Sequence, residues 1–334
     1  MIYYLNDVTL KENNAGFKAR KDINDIFELK SYKKVNFYKH SSSKIIKFLQ
    51  LILFFIKYLF IFKKNDVLIV QMPYIRMSYR FISMICKIKN IKLVVFIHDL
   101  EYLRSKNKHF KCEIDFLKKC LVICSHNKKM SQYLVSHGIS SKRIVELNIF
   151  DYLMKNNKIK HKVECDVCFA GNLTKSQFIY KFEPHNLKVS YFGNKIDKQL
   201  PRNTYYKGSY RPEELLSNLD GKYGLIWDGD SIESCTGLFG DYMRYNNPHK
   251  LSMYLAAQIP VVCWSESAIA SFVLENEVGI VVDSLLRLDE ILPKVTNAEY
   301  NKMLINVVNI SNQLKNGYYT LSVLDEIENK LEEN

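Results

Sequence analysis

The stretch YNNPHKLSMYLAAQIPVVCW, Tyr245 to Trp264, contains a helix start and, directly after that helix, a hydrophobic strand. Proline is favoured at the first position of a helix, and Asn247 can cap the helix from the residue before Pro248. The stretch therefore predicts a helix that packs on a buried strand, as in an α/β sheet. Three apolar residues at helical spacing predict the buried helix face: Leu251, Tyr254 and Leu255.

The start of this helix also has the properties of an anion site. Free backbone N–H groups and the helix dipole favour negative charge there, and Lys250 adds a full positive charge in the first turn. A cation at a helix N-terminus is locally unfavourable by roughly 0.3 kcal/mol, which is explained if an anion lies between them. We therefore take Asn247, His249 and Lys250 as candidates that bind a diphosphate. The alternative is an ordinary capped helix with an exposed lysine.

Short β-rich runs alternate with helical or polar stretches in both halves of the chain. This alternation predicts a parallel sheet with crossover helices in each half, so the expected fold class is α/β with two Rossmann-like domains. Two such domains that face each other place a cleft between the carboxyl ends of their sheets, where ligands of parallel sheets bind. The β-rich runs are MIYYLN, KVNFY, DVLIVQM, IKLVVFIHD, CLVICSHN and RIVELNIF, then CDVCFAG, LKVSYFG, TYYKG, YGLIWDG, PVVCW and VGIVVD.

The lysine-rich segment MKNNKIKHKVE interrupts the alternation and is the expected linker. We expect one Rossmann-like domain at 1–152 and a second at 153–315. A final helix within 316–334 is expected to pack back on the first domain.

Polar residues follow two strands of the second half. In FAGNLTKSQF, Gly171 allows a close approach to the backbone, Asn172 can donate a side-chain hydrogen bond, and Lys175 follows in the loop. In YKGSYRPEELL, Tyr210 and Arg211 come just before a helix that begins at Pro212, and they suit base stacking or phosphate pairing. Both patterns also occur in ordinary turns and helix starts.

The segment LIWDGDSIESCTGLFGDYMRY is a long polar and glycine-rich stretch after a strand. Asp228 and Asp230 have a spacing that can hold a divalent cation beside a sugar diphosphate. Because two lysines are already available for the phosphates, we expect no metal here. The loop is instead expected to fold over a polar substrate, with Asp228, Glu233 and Asp241 bonding sugar hydroxyls.

In the first half, VVFIHDLEYLR leaves His98 and Asp99 at the end of a strand. Either residue could accept a proton from an attacking hydroxyl, and the alternative is that both cap a turn. Gly16 and Lys18 lie where the first strand meets its helix, so backbone could approach a ligand there. The glycines do not form G-x-G-x-x-G, so a dinucleotide fingerprint is missing.

Charge and cysteine content restrict the class of protein. A formal charge of +13 implies an anionic partner: nucleic acid, anionic lipid or a phosphorylated small molecule. No nucleic-acid motif is present, so nucleic acid is not expected. The N-terminus does not resemble a secretory signal, and eight cysteines without a dense pattern predict reduced thiols in a cytoplasmic protein. Cys165 and Cys168 form a C-x-x-C that is interpreted as part of a buried strand.

The segment Ile45 to Phe62, IIKFLQLILFFIKYLFIF, is almost long enough to span a bilayer. Lys47 and Lys57 interrupt it, and each charge near a helix centre costs about 3 kcal/mol on insertion, so a spanning helix is not expected. Two interpretations remain open. One is a packed domain helix, and the other is a helix on the membrane surface with lysines near anionic headgroups, which makes 44–64 a candidate membrane contact.

The chain resembles bacterial β-1,6-galactofuranosyltransferases of O-antigen and capsule assembly. More distantly, it is similar to the glucosyltransferases that extend glycans on serine-rich adhesins, and both groups have GT-B architecture. The most specific shared segment is Trp227 to Lys250. The resemblance rests on YLNDVTLKENNAGFKARKDI, FIHDLEYLR, CSHNKKMSQYL, IFDYL, FAGNLTKSQFIY, YGLIWDGDSIESCTGLFGDYMRYNNPHKLSMYLAAQIPVVCW and LENEVGIVVDS.

This resemblance implies an inverting transfer of galactofuranose from a UDP donor, without metal or cofactor, to a glucosyl or similar residue of a lipid-linked saccharide. It implies that 1–152 binds the acceptor, that 153–315 binds UDP-galactofuranose, and that Lys175 and Lys250 hold the diphosphate. The expected location is the cytoplasm, at the inner face of the membrane. Gln258 stands where a glycine is commoner, and a ribose-binding glutamate is not evident.

Other functions remain open at this point. A UDP-glucose or UDP-galactopyranose transferase would have the same fold. A non-catalytic protein that binds an anionic sugar would explain the charge but would release no UDP. Homo-oligomerisation is also left open.

Overall fold

The computed structural model describes residues 1–6, 15–36, 43–74, 76–154 and 162–333. The chain divides into two compact units. Unit 1 comprises Met1–Leu147 together with Thr320–Asn334, and unit 2 comprises Asn148–Tyr319. The central part of the expected linker, 155–161, lies outside the described residues.

Unit 1 is built on a six-stranded parallel sheet of order β2-β1-β3-β4-β5-β6. The central strands β3 and β4 are almost entirely buried, as expected for a parallel sheet with helices on both faces. Its elements are β1 Ile2–Asn6, α1 Ala15–Leu29, β2 Lys33–Asn36, α2 Lys44–Ile61, β3 Val67–Met72, α3 Arg76–Lys89, β4 Lys92–Ile97, α4 Glu101–Ser105, α5 Lys111–Leu117, β5 Val122–Ser125, α6 Lys128–Ser136 and β6 Ile144–Glu146.

Helix α13 (Tyr318–Glu332), most of which belongs to unit 1, contacts residues 30–92 of that unit through charged and backbone groups. Lys30 lies 2.8 Å from the carboxylate of Glu328, and the hydroxyl of Tyr32 donates to the same residue. Lys92, in β4, donates to the main-chain carbonyl of Leu331 at 2.9 Å. The end of the chain is therefore part of the packing of unit 1.

Unit 2 contains a second six-stranded parallel sheet, of order β12-β11-β10-β7-β8-β9. Its elements are β7 Cys165–Gly171, β8 Val189–Gly193, β9 Thr204–Gly208, α7 Pro212–Asn218, β10 Gly221–Ile226, α8 Gly237–Tyr242, α9 His249–Ala256, β11 Val261–Trp264, α10 Ala270–Glu275, β12 Gly279–Val282, α11 Leu288–Ile291 and α12 Asn297–Lys315.

The strand order of each sheet reverses at one point. In unit 2 the chain runs outward through β8 and β9 on one side of β7 and then returns to place β10, β11 and β12 on the other side. The reversal lies between β7 and β10, and in unit 1 it lies between β1 and β3. Ligands of open parallel sheets bind outside the carboxyl ends of the strands at such a switch point.

The strands and helices predicted from the alternation are present in both units, which confirms the expected α/β class. Cys165 and Cys168 both lie in β7, so the strand interpretation of the C-x-x-C is confirmed, and all eight cysteines are free. Segment 45–62 forms α2, whose buried side packs in unit 1. Within the described ranges, no helix combines the length and the apolar character needed to cross a bilayer.

Glu113, in α5, is a fully buried carboxyl group, with 0% of its surface exposed. It accepts a hydrogen bond from the backbone N–H of Tyr102, in the first turn of α4, at 3.0 Å. The hydroxyl of Tyr79 approaches its other oxygen at 3.4 Å. Burial raises the pKa of Glu113 to about 7, despite these hydrogen bonds. The carboxyl group therefore orients α4 at a cost that depends on pH.

Glu113→Gln should flatten the pH dependence of the stability of unit 1. The unfolded carboxyl ionises near 4.5 and the folded one near 7, so the contribution of Glu113 is complete below the lower value and is lost as pH rises to the upper one. Across this pH window, the free energy of unfolding of the wild-type chain should fall by up to about 3 kcal/mol relative to that of the variant. Urea titrations at several pH values measure the difference.

Unfolding should be followed by circular dichroism. Tryptophan fluorescence would not report on unit 1, because both tryptophans, Trp227 and Trp264, lie in unit 2. Glu275→Gln, at an exposed carboxyl group, is the matched control and should leave the pH profile unchanged. Parallel profiles for wild type and Glu113→Gln would show that the buried carboxyl does not titrate in this range.

Candidate functional site

The side chain of Lys250 lies at the switch point of the sheet in unit 2. Its ammonium donates a hydrogen bond to the main-chain carbonyl of Trp227, the residue after β10, at 3.3 Å. It also lies over the ring of Phe169, in β7, 4.1 Å from the ring centre. A Cβ added to Gly171 at the end of β7 would come within 2.9 Å of the Lys250 Cε atom. The lysine therefore crosses the carboxyl ends of the two strands that border the switch point.

The side chain of Lys250 is partly buried. Burial lowers its pKa, and the negative charge of Asp228 acts in the opposite direction. An ammonium has three N–H donors, and the described residues supply one hydrogen bond, the carbonyl of Trp227. The other N–H groups of this cation can therefore donate hydrogen bonds to an anionic ligand.

The start of α9 differs from the sequence prediction. The helix begins at His249, and Pro248, with a ψ of 132°, is the N-cap residue instead of the first helical residue. Asn247 is not the cap residue; its side chain is buried, and the amide nitrogen donates to the carbonyl of Asn148 at 2.6 Å. The ring of His249 lies 5.2 Å from the ring of Tyr152. The buried face predicted for this helix is confirmed: Leu251, Tyr254 and Leu255.

The loop after β10 is held together by contacts with its own backbone carbonyls. The indole N–H of Trp227 donates to the carbonyl of Ser231 at 2.9 Å. Gly229 has a φ of +99°, and a Cβ there would lie 2.3 Å from the carbonyl oxygen of Thr236, so only glycine fits. Asp228 accepts the N–H of Gly229, while the side chains of Asp230 and Glu233 are exposed. Among the residues that the structure describes, no three His, Cys, Asp or Glu side chains form a group suited to a metal ion.

The other predicted residues of unit 2 surround the carboxyl ends of β7 and β8. Asn172 is exposed, and its side chain accepts the N–H of Lys175 at 3.3 Å. The ammonium of Lys175 is exposed and lies 4.5 Å from the ring centre of Phe239, in α8. Tyr210 lies 6.1 Å from the ring of Phe192, near the end of β8, and is partly exposed. Arg211 is the N-cap residue of α7, which begins at Pro212 as predicted, and it is exposed.

In unit 1, a row of polar side chains crosses the carboxyl ends of four adjacent strands. His98, directly after β4, bonds through Nε2 to Oε1 of Gln71 at 2.6 Å. The amide nitrogen of Gln71 donates to Asn24 at 2.7 Å and approaches the main-chain carbonyl of Arg20 at 3.4 Å. The row continues through Asn24 to Asn6 in β1, and from Asn6 to Asn36 in β2.

This row sets the tautomer of His98. A main-chain carbonyl can only accept, so the atom of Gln71 that faces Arg20 is the amide nitrogen and the atom that faces His98 is the oxygen. Nε2 of His98 must then carry the proton. In the neutral ring the basic lone pair consequently belongs to Nδ1.

Asp99 and Lys18 each form an ion pair. Asp99 forms an ion pair with Arg104 at 2.9 Å. Gly16 is exposed in the first turn of α1, and the ammonium of Lys18 pairs with the carboxylate of Asp22 one turn later. Desolvation lowers the pKa of Lys18 despite this pair. Lys18 is therefore committed to an ion pair within its own helix.

Sequence reasoning missed three residues that organise these sites. Phe169 lies inside a strand, where a phenylalanine is ordinary and gives no signal. Gln71 also lies inside a strand, and here the glutamine of VLIVQM was a usable signal, because a polar side chain in a buried strand requires hydrogen-bond partners. Glu113 lies in a polar stretch of the sequence, and nothing there distinguishes it from an exposed glutamate.

Comparison with known proteins places the chain in a family. Residues 2–149 match the N-terminal domain of glucosyltransferase 3-like proteins, and residues 167–327 match the C-terminal domain. The β-1,6-galactofuranosyltransferase WbbI of Escherichia coli (strain K12) is 34% identical over 98% of both chains. Glucosyltransferase 3 of Streptococcus gordonii is 29% identical over 78% of both chains.

The same fold occurs in a distant solved structure. HepE of Anabaena, crystallised in complex with UDP and glucose, superposes with a TM-score of 0.63 at 11% identity, over 100% of this chain and 99% of that chain. This likeness agrees with the predicted GT-B fold. The chain therefore belongs to the glucosyltransferase 3-like family, and it is a hexosyltransferase that shares this family with the galactofuranosyltransferase of E. coli.

Proposed function

We propose that the protein transfers galactofuranose from UDP-galactofuranose to a glucosyl or similar residue, with inversion and without a metal ion. The observation that carries this proposal is the desolvated ammonium of Lys250 at the switch point between β7 and β10. The family supplies the reaction class, and the E. coli relative, named for a β-1,6-galactofuranosyl transfer, supports the donor.

Lys250 would stabilise the negative charge that develops on the leaving UDP. A preorganised donor in a water-poor site acts on the transition state without reorganisation, and one such donor is typically worth about 3 to 4 kcal/mol. A cation in this position also explains how the diphosphate could leave without a metal ion. Lys175 is exposed in the loop that follows β7 and would add a second positive charge.

The remaining candidates of unit 2 would bind the rest of the donor. Tyr210 and Arg211, between β9 and the start of α7, suit the base and the phosphates of UDP. Gly171 and Asn172 would let the diphosphate approach the backbone after β7. Asp228, Asp230, Glu233, Asn247 and His249 belong to the segment that follows β10, where the sugar would lie.

Unit 1 would activate the acceptor hydroxyl through His98, with Asp99 beside it. Because Gln71 fixes the proton on Nε2, the basic nitrogen of His98 is Nδ1. A neutral imidazole in this position can accept the proton of an attacking hydroxyl in the transition state. The acceptor would be a lipid-linked saccharide, which would bring the enzyme to the inner surface of the cell membrane.

The direct test is a UDP-release assay with UDP-galactofuranose, UDP-galactose and UDP-glucose, each with simple glucosides as acceptors and with a metal chelator present. We expect release with the furanose donor, unaffected by the chelator. Release with a pyranose donor alone would contradict the substrate assignment. No release with any donor, together with binding of an anionic sugar, would favour the binding protein.

Lys250→Met should lower turnover about a hundredfold or more, because it removes the charge that compensates the leaving group. The methionine retains apolar contact with Phe169, and the buried charge is lost, so thermal stability should be equal or higher. Steady-state kinetics and thermal melts measure the two effects. Lys302→Met, at an exposed lysine of the same unit, is the control and should retain activity; equal activity of the two variants would refute the role of Lys250.

Gly171→Ala should displace the ammonium of Lys250, because the new methyl group would lie 2.9 Å from Cε and 3.2 Å from Nζ. We expect UDP affinity to fall about tenfold, an energy of roughly 1.4 kcal/mol, as measured by calorimetry. In a Lys250→Ala background the same change should have no further effect, since the methyl group would no longer meet the lysine. Additive losses would mean that Gly171 acts independently of Lys250.

His98→Gln should lower turnover by about 10²- to 10⁴-fold and remove the acidic limb of the pH profile of turnover. Asp99→Asn keeps the shape of the side chain and should have a smaller effect with the limb retained. The pH profiles of both variants, with a soluble acceptor, distinguish the two residues. Loss of the limb in Asp99→Asn alone would assign the base to Asp99.

A further inference from the structure

Helix α2 presents a continuous apolar stripe to the exterior of unit 1. Its members recur every three or four residues, so they share one helix face. The exposed fractions reach 73% for Ile45, 66% for Leu53 and 86% for Phe60. The complete stripe consists of Ile45, Leu49, Leu53, Ile56 and Phe60.

The opposite side of α2 already has its core contacts. Leu51, Phe54 and Tyr58 are buried in unit 1. The ring of Phe54 lies 4.6 Å from that of Tyr58, which is in turn stacked on Phe62. The exposed stripe is therefore not needed to hold the helix in the fold, and so large an apolar patch calls for a partner.

The neighbouring helix α3 widens the patch. Phe81 of α3 contacts Phe48 and Phe55 of α2 with ring centres 6.4 and 5.9 Å apart. Three further residues of α3 are exposed and lie on one face: Met77, Met84 and Ile88. We call the five residues of α2 and these three of α3 the α2–α3 face.

The segment that carries this face is strongly cationic. Residues 43–98 contain ten lysines and arginines and a single acidic residue, Asp66. Asp66 is buried and pairs with the amino group of Met1 at 3.1 Å. The described cations that are exposed in this segment are Lys57, Lys63, Lys64, Arg80 and Lys87. Ten positive charges and one negative charge give this segment a net charge of +9, out of +13 for the whole chain.

We infer that the α2–α3 face docks on the surface of an anionic lipid bilayer, with α2 lying in the plane of the interface. Apolar side chains would enter the acyl boundary while the lysines and arginines contact the headgroups. A two-fold dimer through this face would instead bring two sets of cations together. The inference deepens the proposed function, because a lipid-linked acceptor would be met at that surface, but lipid binding itself requires no catalytic activity.

Co-sedimentation of the full chain with vesicles tests the inference. Vesicles of phosphatidylcholine alone should bind weakly, and vesicles that also contain phosphatidylglycerol should bind strongly and release the protein as salt is raised. Leu53→Glu combined with Phe60→Glu should reduce binding at least tenfold. Ile305→Glu, at a residue of unit 2 that is 64% exposed, is the matched control and should bind as wild type does.

The charge contribution has its own control. Lys63→Glu combined with Lys64→Glu should weaken binding to the anionic vesicles, while Lys294→Glu combined with Lys302→Glu changes the net charge equally in unit 2 and should have little effect. Equal weakening by both pairs would mean that overall charge alone attracts the protein, and would overturn the α2–α3 face as the contact.

Two further measurements separate this inference from its alternatives. Stripe variants should keep wild-type UDP release with a water-soluble acceptor, so a loss of lipid binding is distinguishable from a loss of the proposed catalysis. Sedimentation equilibrium without lipid should show the same mass for wild type and variants. A wild-type dimer that the stripe variants dissociate, without vesicle binding, would identify the face as an interface between two copies and overturn the inference.

Discussion

The position of one desolvated ammonium group determines how the second unit can act. Lys250 rests on the ring of Phe169 and donates to the carbonyl of Trp227, so two adjacent strands fix where the charge lies. Gly171 makes this possible because any side chain there would occupy the space of the lysine. Burial destabilises the charged form, as the lowered pKa indicates, and an anionic ligand would reverse that cost. The charge is thus most stable when the site is occupied by an anion.

In unit 1, neutral side chains position the candidate residue His98. A row of amides from Asn36 to Gln71 lies across the carboxyl ends of the strands and ends at His98. Because Asn6, Asn24 and Gln71 each donate to one neighbour and accept from the other, the direction of these hydrogen bonds follows from the one that faces a main-chain carbonyl. Glu113 fixes the start of α4 through its hydrogen bond with the N–H of Tyr102. Because α4 begins shortly after Asp99, this bond also restrains the backbone near His98 and Asp99. His98 is therefore oriented by hydrogen bonds, whereas Lys250 is oriented by packing.

Sequence periodicity was sufficient for the architecture, since the strands and helices follow from apolar runs and their spacing. The strand containing Cys165 and Cys168 and the helix start at Pro212 were predicted in this way. The start of α9 was wrong by one residue. The side chain of Asn247 is held by the hydrogen bond that its amide nitrogen donates to the carbonyl of Asn148, a residue about a hundred positions away that local rules do not consider. Phe169 was missed for a similar reason. Its contact with Lys250 joins β7 to α9, and only the assembled sheet brings them together.

The assignment of α13 to unit 1 has a consequence for how the protein is made. Synthesis proceeds from the N-terminal side, yet Lys30, Tyr32 and Lys92 obtain their partners from residues 325–331. The first unit to leave the ribosome is thus the last to be completed, and all of unit 2 must emerge before it. A truncation or a fusion near residue 320 would accordingly damage unit 1, although most residues of that unit lie far from residue 320 in the sequence.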